Sequence, residues 1–253
     1  MSFRGPSYHY VKSYISNRKQ YVQVGSHKSS EKEITKGVPQ GSILGPLLFC
    51  LYINDIVEAV EAEVVLFADD AAFFVSADTL PLLYIKIRKL FQDLSSYLKA
   101  NRLVPNLKKS KLMYFYSRHC EILEEIRFNE EIIEWVVEYK YLGLTVSNKM
   151  CFSSHIQSVT SRVSRFSGIF FALNKVLPRT ILMLLYFAFI VPHLTLHIEI
   201  WGAAPECHIK KLAVRQNKLL RAILGIRLEN GMPTVGTEEM YRGLSVLTLK
   251  NLF

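Results

Sequence analysis

The sequence contains little cysteine and no long apolar run. The uncharged apolar stretch 181–191 is shorter than the roughly 20 residues that span a bilayer, so we expect a core helix there and no membrane insertion. The cysteines form no Cys-x-x-Cys pair, which argues against a disulfide framework, a disulfide-linked partner or a zinc ribbon and favours a reducing compartment. The four cysteines are Cys50, Cys120, Cys151 and Cys207.

Neither the N-terminal residues nor the histidines give strong evidence of a targeting segment or a metal site. Residues 1–6 contain no apolar segment of the kind found in secretory leaders, so we expect an intracellular location, with nothing to choose between nucleus and cytoplasm. His193 and His197 have the i, i+4 spacing of a helical zinc site, although buried or capping histidines are much more common than ligands.

Positive charge is concentrated in the C-terminal part. The chain has 31 Lys and Arg against 22 Asp and Glu, a formal net charge of +9. Residues 151–253 hold 12 basic and 5 acidic residues, or +7, which leaves +2 for residues 1–150. The C-terminal part is therefore expected to face a polyanion. The alternative is a solvated basic face with no partner.

Two short apolar runs flank a pair of adjacent acids. The runs 64–67 and 71–75 favour strands, which places Asp69 and Asp70 at the tip of a tight hairpin. Aspartate is common in turns, yet no Gly or Asn is present to adopt positive φ. Adjacent carboxylates also repel unless a cation offsets their charge. The stretch alone leaves two interpretations open: an ordinary turn, or a Mg²⁺ site for phosphoryl transfer.

Apolar periodicity outlines two regions. Residues 1–147 combine strands and helices, whereas only helices are predicted after residue 147, so the fold class is α+β. Helices are predicted over 8–16, 47–60, 80–98, 152–173, 179–191 and 207–224, and strands over 20–24, 33–35, 64–67, 71–75, 111–116, 132–137 and 139–146.

The acidic hairpin lies within an ordered series of motifs. Gly37–Phe49, followed by Tyr52-Ile53-Asn54-Asp55 and then by Phe67-Ala68-Asp69-Asp70, resembles motifs B and C of the reverse transcriptase domain of non-LTR (LINE-type, jockey-like) retrotransposons. Asn106–Lys111 is similar to motif D of that family. Tyr139–Gly143 is similar to motif E, and Ile198–Gly202 to the region that follows it.

The resemblance implies an architecture. Residues 1–147 would form a partial right-hand polymerase palm, an antiparallel sheet with packed helices that carries motifs B, C, D and E. Residues 148–253 would form an all-helical, thumb-like region. The implied partners are an RNA template, a DNA primer and deoxynucleoside triphosphates.

The resemblance also implies a chemistry, the attack of a primer 3′-hydroxyl on the α-phosphorus of a nucleotide with two Mg²⁺ ions, or Mn²⁺, at the site. Asp69 would be the main metal ligand and Asp70 the accessory one, both catalytic. Ala68 would keep the hairpin slim beside the primer, and Phe67 would pack beneath it. Gln40 and Gly41 would then lie close to the template and the incoming base pair.

Further roles follow by the same resemblance. Lys109, or else Lys111, would protonate or neutralise the pyrophosphate, the alternative being a solvated lysine. The primer grip would be Tyr141-Leu142-Gly143, the alternative being an ordinary hairpin. A basic ridge on the last long helix would track duplex phosphates. Its members are Lys211, Arg215 and Lys218.

One metal ligand of the family has no counterpart in these residues. Motif A supplies another Asp in the family, but no Asp precedes Asp55 here, and the fingers motifs are also missing. Glu31 or Glu33 would be a geometrically poor substitute. We therefore expect a truncated reverse transcriptase that is inactive as this chain alone. The alternatives are a non-catalytic nucleic-acid-binding remnant and an expressed pseudogene product.

Overall fold

A computed structural model describes residues 4–116, 124–226, 228–229, 232–233 and 235–252. The chain divides into two compact units. The first comprises Met1–Asn106 and Ile126–Ile132, and the second comprises Leu107–Glu125 and Ile133–Phe253. Within the described ranges no helix is long and apolar enough to cross a membrane. Cys120 lies outside the described residues, and the other three cysteines are free.

The first unit mixes helices with two-stranded antiparallel pairs. Strand β1 pairs with β4, β2 with β3, β5 with β6 and β7 with β8. The elements are α1 (Pro6–Ile15), β1 (Arg18–Gln20), β2 (Gln23–Val24), β3 (His27–Lys28), β4 (Lys32–Ile34), α2 (Leu44–Ile53), α3 (Ile56–Ala59), β5 (Glu63–Phe67), β6 (Asp70–Phe74), α4 (Leu80–Ala100), β7 (Ile126–Phe128) and β8 (Glu131–Ile133).

Helix α4 confirms its predicted amphipathic stripe. Leu83, Ile87 and Leu90 are buried at the helical spacing that puts them on one face. The helix begins with a proline in its first turn, where the missing N–H needs no partner. Near its C-terminal end, the Tyr97 hydroxyl donates a hydrogen bond to the Asp55 carboxylate. This contact fixes α4 against the end of α2.

The helix predicted over 47–60 is wrong in two respects. It is divided into α2 and α3 at Asn54-Asp55, where the backbone carbonyl of Asp55 accepts a hydrogen bond from the Glu58 N–H and a new helix starts. It is also less buried than expected. Leu47 and Leu51 are exposed, since the cluster on which α2 packs is small.

The second unit is built around two long helices, α5 and α9, which confirm the predicted helices 152–173 and 207–224. Val163 of α5 and Leu212 and Leu219 of α9 are completely buried. The elements are β9 (Glu138–Tyr141), β10 (Leu144–Ser147), α5 (Ser153–Leu173), α6 (Arg179–Phe189), α7 (Val191–Thr195), α8 (Ile198–Trp201), α9 (Glu206–Leu224), β11 (Leu228–Glu229), β12 (Met232–Pro233), α10 (Thr237–Leu244) and α11 (Leu249–Leu252).

The expectation of an all-helical C-terminal region is wrong, because β11 and β12 pair antiparallel. Leu228 lies opposite Pro233 and Glu229 opposite Met232. The sequence between the strands is Asn230-Gly231, a pair typical of tight hairpins and a signal that the apolar pattern did not include.

Two strand predictions are also wrong. Tyr139–Val146 is not one strand but the hairpin β9–β10, which reverses at Leu142-Gly143. The predicted strand 111–116 has only one described bridge, from Leu112 to Trp135. The segment is apolar enough for a strand, but this single bridge is its only ladder contact among the described residues.

The hairpin β9–β10 belongs to the same unit as the helices, because Leu144 is buried in the core that α5 and α9 share. The expected domain boundary after residue 147 was drawn from composition and motifs, and it stays a prediction.

Candidate active site and nucleic-acid contacts

The predicted acidic hairpin is formed by β5 and β6. Phe67 pairs with Asp70, which leaves Ala68 and Asp69 as a two-residue turn. Ala68 has φ +51°, in the left-handed region that costs a residue with a side chain about 1–2 kcal/mol. Asp69 therefore lies in a strained turn, and Asp70 is the first residue of the next strand.

The two faces of this hairpin differ. Leu66 and Phe73 are half-buried against the core, whereas Val65, Phe67 and Phe74 are 50%, 61% and 51% exposed. The expectation that Phe67 packs beneath the hairpin is wrong. Side chains alternate along a strand, so once Leu66 faces the core, Phe67 must face away from it. Phe67 instead shares the open face with Asp70.

The carboxylates of Asp69 and Asp70 are both exposed. Among the described residues neither forms an ion pair, so nothing in that part of the chain offsets their repulsion. Carboxylate oxygens are the donors that hard divalent cations prefer, and the pair fits such an ion. The described residues contain no group of three or more His, Cys, Asp or Glu side chains that would complete a metal site. Of the possible substitutes, Glu31 pairs with Lys19.

The loop before α2 depends on small residues. Gly41 has φ +76°, and a Cβ on Gly45 would lie 2.8 Å from the carbonyl oxygen of Pro39. The Ser42 hydroxyl donates to that carbonyl at 2.6 Å and accepts the N–H of Gly45 at 3.1 Å. The loop is therefore held by specific contacts, and it leaves Gln40 and Gly41 exposed.

The loop and the acidic hairpin are linked through a shared core. Phe49 of α2 and Leu66 and Phe73 of the hairpin pack on the buried cluster that contains Ile56 and Tyr97. Motifs B and C are consequently parts of one packed unit. The structure thus packs α2, which follows the loop of Gln40 and Gly41, and the acidic hairpin on one core.

The predicted primer grip occupies the turn of the β9–β10 hairpin. Tyr141 pairs with Leu144, so Leu142 and Gly143 are the two turn residues. Their φ values are +47° and +91°, the pattern of a type I′ turn. Leucine is unusual at its position, because left-handed backbone is strained for any residue with a Cβ. The turn therefore needs support from its surroundings.

That support comes from residues that the motifs did not indicate. His197 Nε2 donates to the carbonyl oxygen of Leu142 at 2.9 Å, and the N–H of Thr145 donates to His155 Nδ1 at 3.3 Å. A Cβ on Gly143 would lie 3.1 Å from the Leu196 side chain. Sequence reasoning considered His197 as a zinc ligand, but in the described ranges no cluster of metal-binding side chains includes it.

His155 is 5% exposed. Burial holds its pKa below the ordinary histidine value, and nearby His197, Arg162 and Lys140 add to the effect. Its Nδ1 therefore stays available as a hydrogen-bond acceptor at physiological pH.

The two candidate lysines differ in their surroundings. The Lys111 ammonium pairs with the Glu134 carboxylate. Lys109 is exposed, and only its backbone carbonyl is engaged, accepting the Tyr139 hydroxyl at 2.9 Å. Of the two, Lys109 is the one whose ammonium has no carboxylate partner in the described part of the chain.

The predicted basic ridge lies on the outer face of α9. Lys211, Arg215 and Lys218 are exposed, while Leu212 and Leu219 on the opposite face are buried. The i, i+4, i+7 spacing spreads the three charges over about 10 Å of helix. None of the three pairs with a carboxylate within the described residues, so the ridge keeps its full charge.

Comparison with known proteins shows which family shares this combination of motifs. The family model described as "Reverse transcriptase (RNA-dependent DNA polymerase)" matches residues 1–146. The chain is 29% identical over 227 residues to the "RNA-directed DNA polymerase from mobile element jockey" of Drosophila melanogaster, a match that covers 85% of this chain and 25% of that protein. No solved structure matches.

Two other Drosophila melanogaster proteins match over a similar span. The "Probable RNA-directed DNA polymerase from transposon BS" is 27% identical, with 87% of this chain and 26% of that protein covered. The "Probable RNA-directed DNA polymerase from transposon X-element" is also 27% identical, with 87% and 25% covered. The chain thus spans about a quarter of the length of these relatives.

Because the family model covers more than half of its residues, the chain belongs to the reverse transcriptase family. Its similarity to the jockey, BS and X-element polymerases makes it a reverse transcriptase domain of the non-LTR retrotransposon type. Members of the family generally use divalent metal ions.

Proposed function

We propose that this chain supplies part of the active site for RNA-directed DNA polymerisation, with Asp69 and Asp70 as ligands of Mg²⁺ or Mn²⁺. The observation that carries the proposal is the strained turn at Ala68, which presents two adjacent, exposed carboxylates that form no ion pair within the described residues. A bound ion would lower the pKa of the primer 3′-hydroxyl and stabilise the leaving oxygen of the pyrophosphate.

The other residues of the first unit bind the nucleic acid in this proposal. Gln40 and Gly41 contact the template and the incoming base pair, because both are exposed and a glycine at 41 permits close approach of the backbone. Ala68 keeps the turn narrow. The exposed ring of Phe67 lies across the strand pair from Asp70 and contacts the primer end, which replaces the buried role first expected of it.

The second unit positions the primer and its phosphates. Lys109 neutralises the pyrophosphate, a role supported by its unpaired ammonium. The turn Tyr141-Leu142-Gly143 contacts the primer end. The ridge of Lys211, Arg215 and Lys218 follows the duplex backbone. Residues 1–147 are the palm and residues 148–253 the thumb in this assignment, with RNA template, DNA primer and deoxynucleoside triphosphates as the ligands.

We further propose that these 253 residues alone do not polymerise, because the two carboxylates have no third ligand in the described residues. The test is primer extension on poly(rA)/oligo(dT) with Mg²⁺ and with Mn²⁺. No incorporation above that of the Asp69→Asn variant is expected. Incorporation by the parent that this substitution abolishes would refute the inactivity and support the polymerase site.

The metal site is tested separately by electron paramagnetic resonance of Mn²⁺. The parent should bind Mn²⁺ weakly, with a dissociation constant of about 1 mM, and Asp69→Asn or Asp70→Asn should weaken binding roughly tenfold. Asp78→Asn, which lies between β6 and α4, is the matched control and should leave binding unchanged. Equal binding by all four proteins would overturn the site.

A second function, duplex binding without catalysis, is favoured by the unpaired basic ridge on α9. It requires neither carboxylate. Binding of a primer–template duplex by the Asp69→Asn, Asp70→Asn double variant with the parent's affinity would support it, and loss of that binding would contradict it.

A further inference from the structure

The turn Leu142-Gly143 is held from both sides by histidine side chains. A carbonyl oxygen only accepts, so His197 must carry its proton on Nε2, where it meets the Leu142 carbonyl. The Thr145 N–H only donates, so His155 must be unprotonated on Nδ1. One histidine therefore holds the turn residue itself, and the other holds the strand that leaves it.

Trp201 connects the two histidines. Its indole N–H donates to the carbonyl oxygen of Leu196 at 2.8 Å, which fixes the backbone just before His197. Its ring centroid lies 5.9 Å from that of His155, and the side chain is only 1% exposed. The segment Ile198–Gly202, singled out by its resemblance to the region after motif E, thus contributes the residue that locks this arrangement.

Backbone strain at Leu142 and His197 explains why the turn needs these contacts. Leu142 at φ +47° and His197 at φ +55° are both left-handed residues with side chains, and one hydrogen bond joins them. Each conformation is unfavourable for a residue with a side chain and persists only where surrounding contacts determine it. An isolated hairpin with leucine at the first turn position would relax to another turn.

We propose that His155 and His197 are positioning residues for primer binding: they hold the β9–β10 turn in the one conformation that presents Tyr141, Leu142 and Gly143 to the primer end. The inference rests on the proposed primer contact of this turn. It adds two residues, far from the turn in sequence, that act through the backbone and do not touch nucleic acid.

The two histidines use different ring nitrogens, which allows a reciprocal test. The amide of asparagine reaches the position of Nδ1, and the amide of glutamine reaches that of Nε2. Asparagine should therefore replace His155 but not His197, and glutamine should replace His197 but not His155. The four variants are His155→Asn, His155→Gln, His197→Asn and His197→Gln. Asparagine tolerates the left-handed backbone at 197 better than glutamine, so strain there acts against the expected order and cannot produce it.

Two measurements are made on the full chain and all four variants. Hydrogen exchange of the Thr145 amide and of the segment 140–146 reports the turn. Photo-crosslinking of a primer with a 3′-terminal 4-thiothymidine, annealed to an RNA template, reports its contact with residues 141–143. Thermal unfolding confirms that each variant is folded.

We expect His155→Gln and His197→Asn to raise exchange in the segment at least about tenfold and to reduce cross-linking about tenfold, since a displacement near 1 Å has effects of that size or larger. His155→Asn and His197→Gln should stay within about twofold of the parent in both measurements. Duplex affinity, which the basic ridge dominates, should change little in any variant.

If the two histidines only filled buried space, asparagine and glutamine would not show this reciprocal pattern. Equal effects of Asn and Gln at both positions would therefore overturn the proposal. Unchanged exchange and cross-linking in His155→Gln and His197→Asn would also overturn it. If the parent does not cross-link through residues 141–143, the proposed primer contact itself fails and the positioning role fails with it. In that case hydrogen exchange still shows whether the histidines hold the hairpin. Failure of the primer contact can therefore be distinguished from failure of the histidine contacts.

Discussion

Ala68 occupies a backbone conformation in which glycine would be more stable, and it does so directly beside the two candidate metal ligands. Glycine at position 68 would remove the backbone strain. Its greater conformational freedom would also make the turn less rigid. Leu142 in the second unit shows the same conflict at the other candidate contact with the primer. In both hairpins a residue with a side chain takes a conformation that favours glycine, and both hairpins carry proposed functional residues.

Substitution of Ala68 by glycine should therefore stabilise the first unit. We expect Ala68→Gly to raise its free energy of unfolding by about 0.5–1 kcal/mol, the strain relieved less the entropy that glycine adds to the unfolded chain. Urea unfolding followed by far-ultraviolet circular dichroism measures the change. Ala72→Gly, in the extended part of the same hairpin, is the matched control and should destabilise by a similar amount. Destabilisation by Ala68→Gly would show that the turn is not strained in solution.

At the scale of secondary structure, the bounds of long amphipathic helices were more predictable than the exact turn residues of hairpins. Helices α4, α5 and α9 have apolar residues at regular helical spacing, and each begins and ends within a few residues of its prediction. A hairpin at Tyr141-Leu142-Gly143 was only the alternative to a single strand, because leucine is not a typical turn residue and contacts from His197 and Leu196 hold it there.

Within the candidate site, too, some residues were predictable from the sequence and others were not. The acids at 69 and 70 stood out because they interrupt an apolar run, and the hairpin is confirmed, although its turn is Ala68-Asp69, one residue before the predicted tip. The roles of His155 and His197 had no sequence signal, since each bonds to backbone at positions that lie far away along the chain or follow no helical period. The outward direction of Phe67 depends on which of two alternating positions faces the core, and that is decided by α2 and α4.

The basic ridge on the outer face of α9 leads to a prediction about how duplex binding depends on salt. If the ridge contacts phosphates, the triple variant Lys211→Gln, Arg215→Gln, Lys218→Gln should reduce the slope of log K against log salt by about 2–3, roughly 0.7–0.9 per lost contact. Fluorescence anisotropy with a labelled primer–template duplex at several salt concentrations gives this slope.

Lys210→Gln is the control on the same helix. Lys210 already pairs with Glu206 at 3.2 Å, so its removal should change the slope by less than about 0.5. A triple variant with the parent's slope would place the phosphate contacts on another surface.

At the scale of the whole molecule, the two units differ in how much apolar surface they bury. The second unit has a large core around α5 and α9, whereas the cluster beneath the acidic hairpin contains three buried residues, Ile53, Ile56 and Tyr97. Helix α1 has no buried residue, and one face of the β5–β6 pair is open. Exposed apolar faces and unpaired strand edges favour self-association.

We expect the 253-residue chain to self-associate at concentrations of about 10–100 μM because of this open face. The double variant Val65→Thr, Phe74→Thr keeps strand-forming residues and leaves Phe67 in place, and it should shift the sedimentation profile toward the monomer. Val104→Thr, an isolated exposed residue outside the hairpin, should not. A parent that sediments as a single monomeric species throughout would contradict the expectation.

The strand β7 has a consequence for synthesis on the ribosome. Ile126 and Phe128 are buried, Phe128 lies 5.3 Å from Phe91 of α4 between ring centroids, and Asn129 accepts a hydrogen bond from Ser95. The acidic hairpin is local and can form within microseconds once it emerges. Helix α4 must wait for residues 126–132, which are translated only after the first residues of the other unit. Until then its apolar stripe is open to chaperones, so folding of the first unit is completed only after synthesis of the second has begun.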